Sequence, residues 1–147
     1  MKPTRAPLLA ALAAASFLIT GCGILEPGWS RRLDLVTEGT PPMTSLIAPD
    51  VVTRGIPFQI TASSFGSSSC TRADGYDVTS SQVSFEVRLY DESAPPAAAC
   101  TADFRSFPRT LTVQFDQPGT AVIRVSGRGN GDEGDAPKTI TKTITVQ

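Results

Sequence analysis

The chain carries few residues of the kinds that do chemistry. It has three cysteines, Cys22, Cys70 and Cys100, and no histidine in 147 residues. Without histidine there is no Ser–His or Cys–His nucleophile pair, no imidazole metal ligand and no side chain that titrates unaided near neutrality. Serines at 63–64, 67–69 and 80–81 stand in turn-rich sequence with no nucleophile-elbow motif around them. The densest set of oxygen ligands is Gly129-Asn130-Gly131-Asp132-Glu133-Gly134-Asp135, where Asn130, Asp132, Glu133 and Asp135 could face a hard cation such as Ca²⁺. The spacing does not match the twelve-residue calcium loop, so the stretch reads as a solvated loop and no metal site is assigned. Asp74, Asp77, Asp91, Glu92 and Asp103 gather in and just after the segment between Cys70 and Cys100. A carboxylate pair for glycoside hydrolysis needs a cleft and a raised pKa; these five read as loop charge in water. The residues thus predict no catalytic group and no cofactor. With 13 basic and 14 acidic side chains the net charge is −1, which lacks the basic footprint of a nucleic-acid binder.

Position gives Cys22 a different chemistry. Residues 1–22 place Lys2 and Arg5 ahead of an apolar run from Leu8 to Ile19 broken only by Ser16. Such a run has the length of a secretory h-region and is shorter than the roughly 20 residues that span a bilayer. It ends in Ile19-Thr20-Gly21-Cys22, which resembles the lipobox of bacterial lipoproteins. The resemblance implies removal of residues 1–21 and a diacylglycerol on the thiol of Cys22. Ile19 stands where leucine is commonest in that family. Gly23, where aspartate would favour inner-membrane retention, implies the outer membrane if the cell has two. Removal of residues 1–21 takes Lys2 and Arg5 away and moves the charge from −1 to −3.

Lipid on Cys22 leaves an even pair, and in an oxidising compartment Cys70 and Cys100 most simply form a disulfide. Two cysteines without histidine make a poor metal site, and a catalytic thiol would lack a base.

The elements that must position these groups follow from hydrophobic period. Residues 22–45, with Pro27, Gly28, Gly39, Pro41 and Pro42, predict a lipidated cysteine and flexible tether, in which residues 33–37 could pair as a short extra strand. Within it Trp29, Arg31 and Arg32 are candidates for contact with the membrane, the indole at headgroup level and the guanidiniums on anionic lipid. From residue 46 onward alternation of period two dominates. Strands are predicted over 57–65, 83–90, 110–115, 120–127 and 139–146, with a short one at 76–79. Lys142 shares a face with Ile140 and Ile144, which requires either a bulge or an edge strand carrying an inward charge. Tyr76, Tyr90, Phe104 and Phe107 could form an exposed aromatic contact patch beside Arg105 and Arg109; the favoured expectation is that most of these rings are buried.

Two stretches resemble bacterial immunoglobulin-like domains: Ala48-Pro49-Asp50-Val51-Val52 followed by Gly55-Ile56-Pro57-Phe58-Gln59-Ile60, and Phe115-Asp116-Gln117-Pro118-Gly119-Thr120 leading into Ala121-Val122-Ile123-Arg124-Val125. The resemblance implies an all-β, antiparallel immunoglobulin-like sandwich of about seven strands over residues 46–147, behind a signal peptide over 1–21. It departs from antibody domains in lacking a core tryptophan between the two cysteines. The expected role is a non-enzymatic binding or structural module of the cell envelope, anchored to membrane lipid through Cys22 and meeting an envelope protein or glycan, with no nucleic acid. The alternative is an inhibitor that presents loops 63–77 or 94–109 to an envelope protease.

Overall fold

The computed structural model describes residues 28–129 and 136–147. Nine strands are seen among them: β1 (Ser30–Leu33), β2 (Leu46–Ile47), β3 (Val51–Val52), β4 (Phe58–Ser68), β5 (Thr71–Ser80), β6 (Ser84–Ser93), β7 (Ala102–Val113), β8 (Gly119–Arg128) and β9 (Pro137–Val146). They form two sheets. One holds six strands in the order β1-β6-β8-β9-β3, with β5 also paired to β6; the other is β2-β4-β7. No helix occurs among the described residues. The expected signal peptide, Cys22 and the loop of Asn130, Asp132, Glu133 and Asp135 lie outside them.

The all-β expectation stands, and the two facing sheets account for the alternating pattern. Ile60 and Ala62 of β4 with Leu111 and Val113 of β7 face Phe85, Val87 and Leu89 of β6, Ala121, Ile123 and Val125 of β8, and Ile140, Ile144 and Val146 of β9. Phe115 closes the layer at 6.0 Å from the ring of Phe58. Each strand contributes one apolar face, which is the form a half-buried sheet requires.

The strands are not all antiparallel. β6 runs parallel to β8, and β3 runs parallel to β9. Residues 94–118 leave β6, cross to the other sheet as β7 and return as β8, and a crossover of that length permits a parallel pair. Period-two alternation is blind to direction, so this feature had no signature along the chain.

Three expectations about element extent also change. β4 runs to Ser68 and β7 begins at Ala102, so the serine-rich and Pro108-containing stretches are ladder residues. Ser63 and Ser64 are buried. The expected loop 63–77 is accordingly mostly strand, and the expected loop 94–109 is strand from Ala102 onward. Most of the described part of the expected tether belongs to the fold: β1 pairs with β6 from Ser30↔Ser93 to Leu33↔Tyr90, and Leu35, Val36 and Ser45 are buried. Leu35 bridges Phe65 of one sheet and Arg128 of the other, so this segment straps the sandwich together at one end. Prolines and glycines at 39–42 concealed it, because they form the turn after the strap rather than a long linker.

Lys142 has no bulge beside it, since the β8–β9 register is continuous from Gly119↔Val146 to Arg128↔Pro137. Its ammonium donates to the Ala48 carbonyl at 2.6 Å and pairs with Asp50 at 2.8 Å. The charge thus covers the side of β9 that β3 leaves open.

Candidate functional site

The outer face of the six-stranded sheet is polar, and its registers set side chains in rows. Asp77 of β5 stands opposite Arg88 of β6, Arg88 opposite Ser126 of β8, and Ser126 opposite Thr139 of β9. One step along, Thr79, Glu86, Arg124 and Thr141 make a second row. Along the first row, on its side towards Tyr90 and Leu33, lies a groove of about 350 Å³ lined by Glu86, Arg88, Tyr90, Ser126, Lys138 and Thr139 among others. A smaller groove of about 200 Å³, lined by Asp77, Thr79, Glu86 and Arg88, adjoins it. The volume of the larger one falls in the small-ligand range.

The groups in the groove are pre-set by one another. Ser126 donates to Glu86 at 3.0 Å and lies 3.0 Å from the Thr139 hydroxyl. The Arg88 guanidinium is 3.9 Å from Glu86. The Arg31 guanidinium covers the Tyr90 ring at 3.8 Å and pairs with Asp74 at 2.6 Å. The groove therefore combines hydroxyls, a carboxylate and cations on rigid strands. It suits hydrogen bonding to a polar ligand of several hydroxyl or carboxylate groups. Sequence reading passed over it because Glu86, Arg88, Ser126 and Thr139 are ordinary outward positions until the sheet order places them side by side.

A second polar cluster lies inside. Asp34 and Asp91 are fully buried, and three arginines converge on them. Arg32 donates to Asp91 at 2.9 Å and Arg128 at 3.3 Å, while Arg109 lies 3.6 Å from Asp34. Arg128 also donates to the Leu33 carbonyl, and Arg109 to Ser64, Phe107 and Tyr90. Glu92 is buried too, holding Arg72 at 2.6 Å. Of the five carboxylates expected in loop water, Asp91 and Glu92 are thus internal struts. The pattern of β6 changes at its end to bury both, because β1 lies alongside them.

One oxygen of Asp34 has no hydrogen-bond partner among the described residues, the other accepting from the Leu35 amide at 2.9 Å. Burial raises the carboxyl to about 6; the Ser64 hydroxyl opposes that, the Asp91 charge adds to it, and Arg109 and the Leu35 amide oppose it. The folded chain therefore holds this proton more tightly than the unfolded chain. The contribution favours folding fully below pH 4 and is lost as the pH rises through 6. Its size is about 3 kcal/mol. Urea unfolding of the native chain and Asp34→Asn from pH 4 to 8 should show the native chain losing about that much relative to the variant as pH rises. A constant difference would refute the assignment.

The remaining expected site residues are placed as follows. Cys70 and Cys100 form the disulfide, with Cα atoms 5.4 Å apart. Cys70 occupies the turn where the chain passes from β4 in one sheet to β5 in the other, and Cys100 lies just ahead of β7. Ser69 and Thr101 exchange hydrogen bonds beside the bridge. Trp29 lies under the Arg72 guanidinium at 4.2 Å. With Arg31 on Asp74 and Arg32 on Asp91, all three candidates for membrane contact have partners inside the fold. Of the four aromatic rings expected to be mostly buried, none is: Tyr76 and Phe104 are exposed, and Tyr90 and Phe107 are half-buried. Tyr76 is on the edge strand β5, Tyr90 lines the outer groove of the six-stranded sheet, and Phe104 and Phe107 belong to β7 of the smaller sheet itself. Among the described residues no three His, Cys, Asp or Glu side chains meet to hold a metal ion.

No protein family, no curated protein and no solved structure matches this chain.

Proposed function

We propose that this chain is a lipid-anchored, non-enzymatic binding module of the cell envelope, and that its ligand-contact face is the outer groove of the six-stranded sheet. The observation that carries the binding reading is that groove, whose polar groups are fixed by sheet register rather than borne on loops. The anchoring reading rests on Ile19-Thr20-Gly21-Cys22, and the Cys70–Cys100 disulfide agrees with an exported chain. β1 begins at Ser30, eight residues after Cys22. At about 3.6 Å per residue the domain would stand at most about 29 Å from its anchor.

The fold is proposed as a variant of the immunoglobulin-like sandwich. Two sheets packed over one core support this, and the parallel β6–β8 and β3–β9 pairs are departures from the antiparallel pattern expected. The protease-inhibitor reading is the alternative: 63–77 is largely strand, which leaves residues 94–101, ahead of β7, as its probe.

One experiment tests both halves. Cells producing the native chain, Cys22→Ala or Arg88→Glu are cross-linked and their envelopes fractionated. Cys22→Ala is expected to leave the mature membrane fraction, as unprocessed or released chain. Arg88→Glu is expected to stay in the membrane and lose the native cross-linked product. Unchanged size and membrane association for Cys22→Ala would end the lipoprotein reading. A native cross-linking pattern for Arg88→Glu would end the groove reading.

A further inference from the structure

The sheet edges are unequally protected. β9 is shielded by β3 and by Lys142 on Ala48 and Asp50. β7, at one edge of the smaller sheet, carries Pro108, which has no amide hydrogen to donate. β5 pairs with β6 on one side and with no strand on the other among the described residues. Its register to β6 is interrupted between Ala73 and Tyr76, where Gly75 takes φ +101°. Beyond that break, residues 76–80 run as regular strand with neither proline nor lysine, and Asp77 is their one charge.

The apolar residues of this edge are left uncovered. Tyr76 stands opposite Leu89, Val78 opposite Val87 and Ser80 opposite Phe85. Their partners on β6 are buried core residues, so Tyr76 and Val78 point to the core side of the sheet. Yet they are 45% and 43% exposed, because the smaller sheet does not reach under β5. A regular strand with open backbone groups and an uncovered apolar strip is a template for another strand.

We propose that this edge pairs with the same edge of a second copy, β5 against β5 about a two-fold axis at Val78. The sequence is self-complementary in that register. Val78 meets Val78, Tyr76 meets Ser80, and Asp77 meets Thr79, so no like charges stand directly opposite. A two-fold keeps the same face of both sheets on one side, so the two Tyr76–Val78 strips become one strip flanked by both smaller sheets. The outer grooves of the two copies lie on the opposite face and continue across the junction.

The test places a cysteine at the axis. Val78→Cys in the full chain, treated with a short thiol cross-linker, is compared on a non-reducing gel with the native chain and with Val83→Cys. Val83 is also exposed but lies past the end of β5. The expected result is covalent dimer from Val78→Cys at least tenfold above both references. Light scattering over a concentration series should show self-association of the native chain weakened at least tenfold by Val78→Lys. Below the concentration at which the native chain associates, the unfolding midpoint of that variant should match the native one, since the side chain is outside the core. Cross-linking at reference level, products with other proteins alone, a native chain that stays monomeric to millimolar concentration, or a dimer indifferent to Val78→Lys would each overturn the proposal.

Discussion

Gly127→Ala is expected to lower stability by at least about 3 kcal/mol and to detach the segment after β1 from the sandwich. Gly127 is buried on β8, and its φ lies outside the left-handed region, so conformational freedom is not the reason for glycine. The reason is close approach. A Cβ there would overlap the carbonyl oxygen of Asp34 and lie 2.6 Å from Cγ1 of Val36. The oxygen belongs to backbone held on both sides: Arg128 donates to Asp34 at 2.8 Å, and Val36 donates to Arg128 at 2.9 Å. Neither β8 nor the strap can move without breaking these bonds. Urea unfolding measures the loss, and hydrogen exchange should show the amides of Asp34 and Val36 losing protection ahead of β4. A loss under about 1 kcal/mol would mean that the strap is not packed as described.

The second large effect is expected from Asp91→Ala. Asp91 is fully buried and is the counter-charge of Arg32 from β1 and Arg128 from β8. Removing it takes a fully buried anion from Arg32, whose side chain is 34% exposed, and from Arg128, whose side chain is 13% exposed. Breaking a buried pair costs up to about 3–5 kcal/mol, less whatever hydration the partly exposed Arg32 recovers. The triple replacement Arg32→Met, Asp91→Leu, Arg128→Met is therefore expected to recover much of that loss. Chemical denaturation of both variants decides the matter. A mild effect of Asp91→Ala, or no recovery in the triple variant, would show that the ion network does not hold β1.

Both effects concern the strap, which the chain concealed. In Leu33-Asp34-Leu35-Val36 a period-two reading sets Asp34 and Val36 on one face, and an aspartate there argues for solvent. The segment is instead buried on both faces, since Leu35 and Val36 point into packed surroundings and the Asp34 carboxylate lies beside Arg109 of β7. An aspartate becomes tolerable in a core only when cations from distant strands converge on it, and sequence spacing carries no sign of that convergence. The same holds for Asp91 and Glu92 at the end of β6.

Sequence by itself determined what depends on local period and on residue type. Alternation in residues 83–90, 120–127 and 139–146 identified the strands and most of the core, because a half-buried sheet imposes period two on any chain that forms it. Cysteine count and position singled out Cys70 and Cys100 as a pair, and their disulfide is present. The absence of histidine narrowed the chemistry before any fold was known. Tertiary structure alone decided the strand order, the parallel β6–β8 pair, the burial of Asp34 and Asp91, the outer groove and the bare edge of β5. Each of these is a relation between strands far apart along the chain. Backbone pairing is nearly independent of side-chain identity, so only packing of the whole core chooses among the orders that the same strands could adopt.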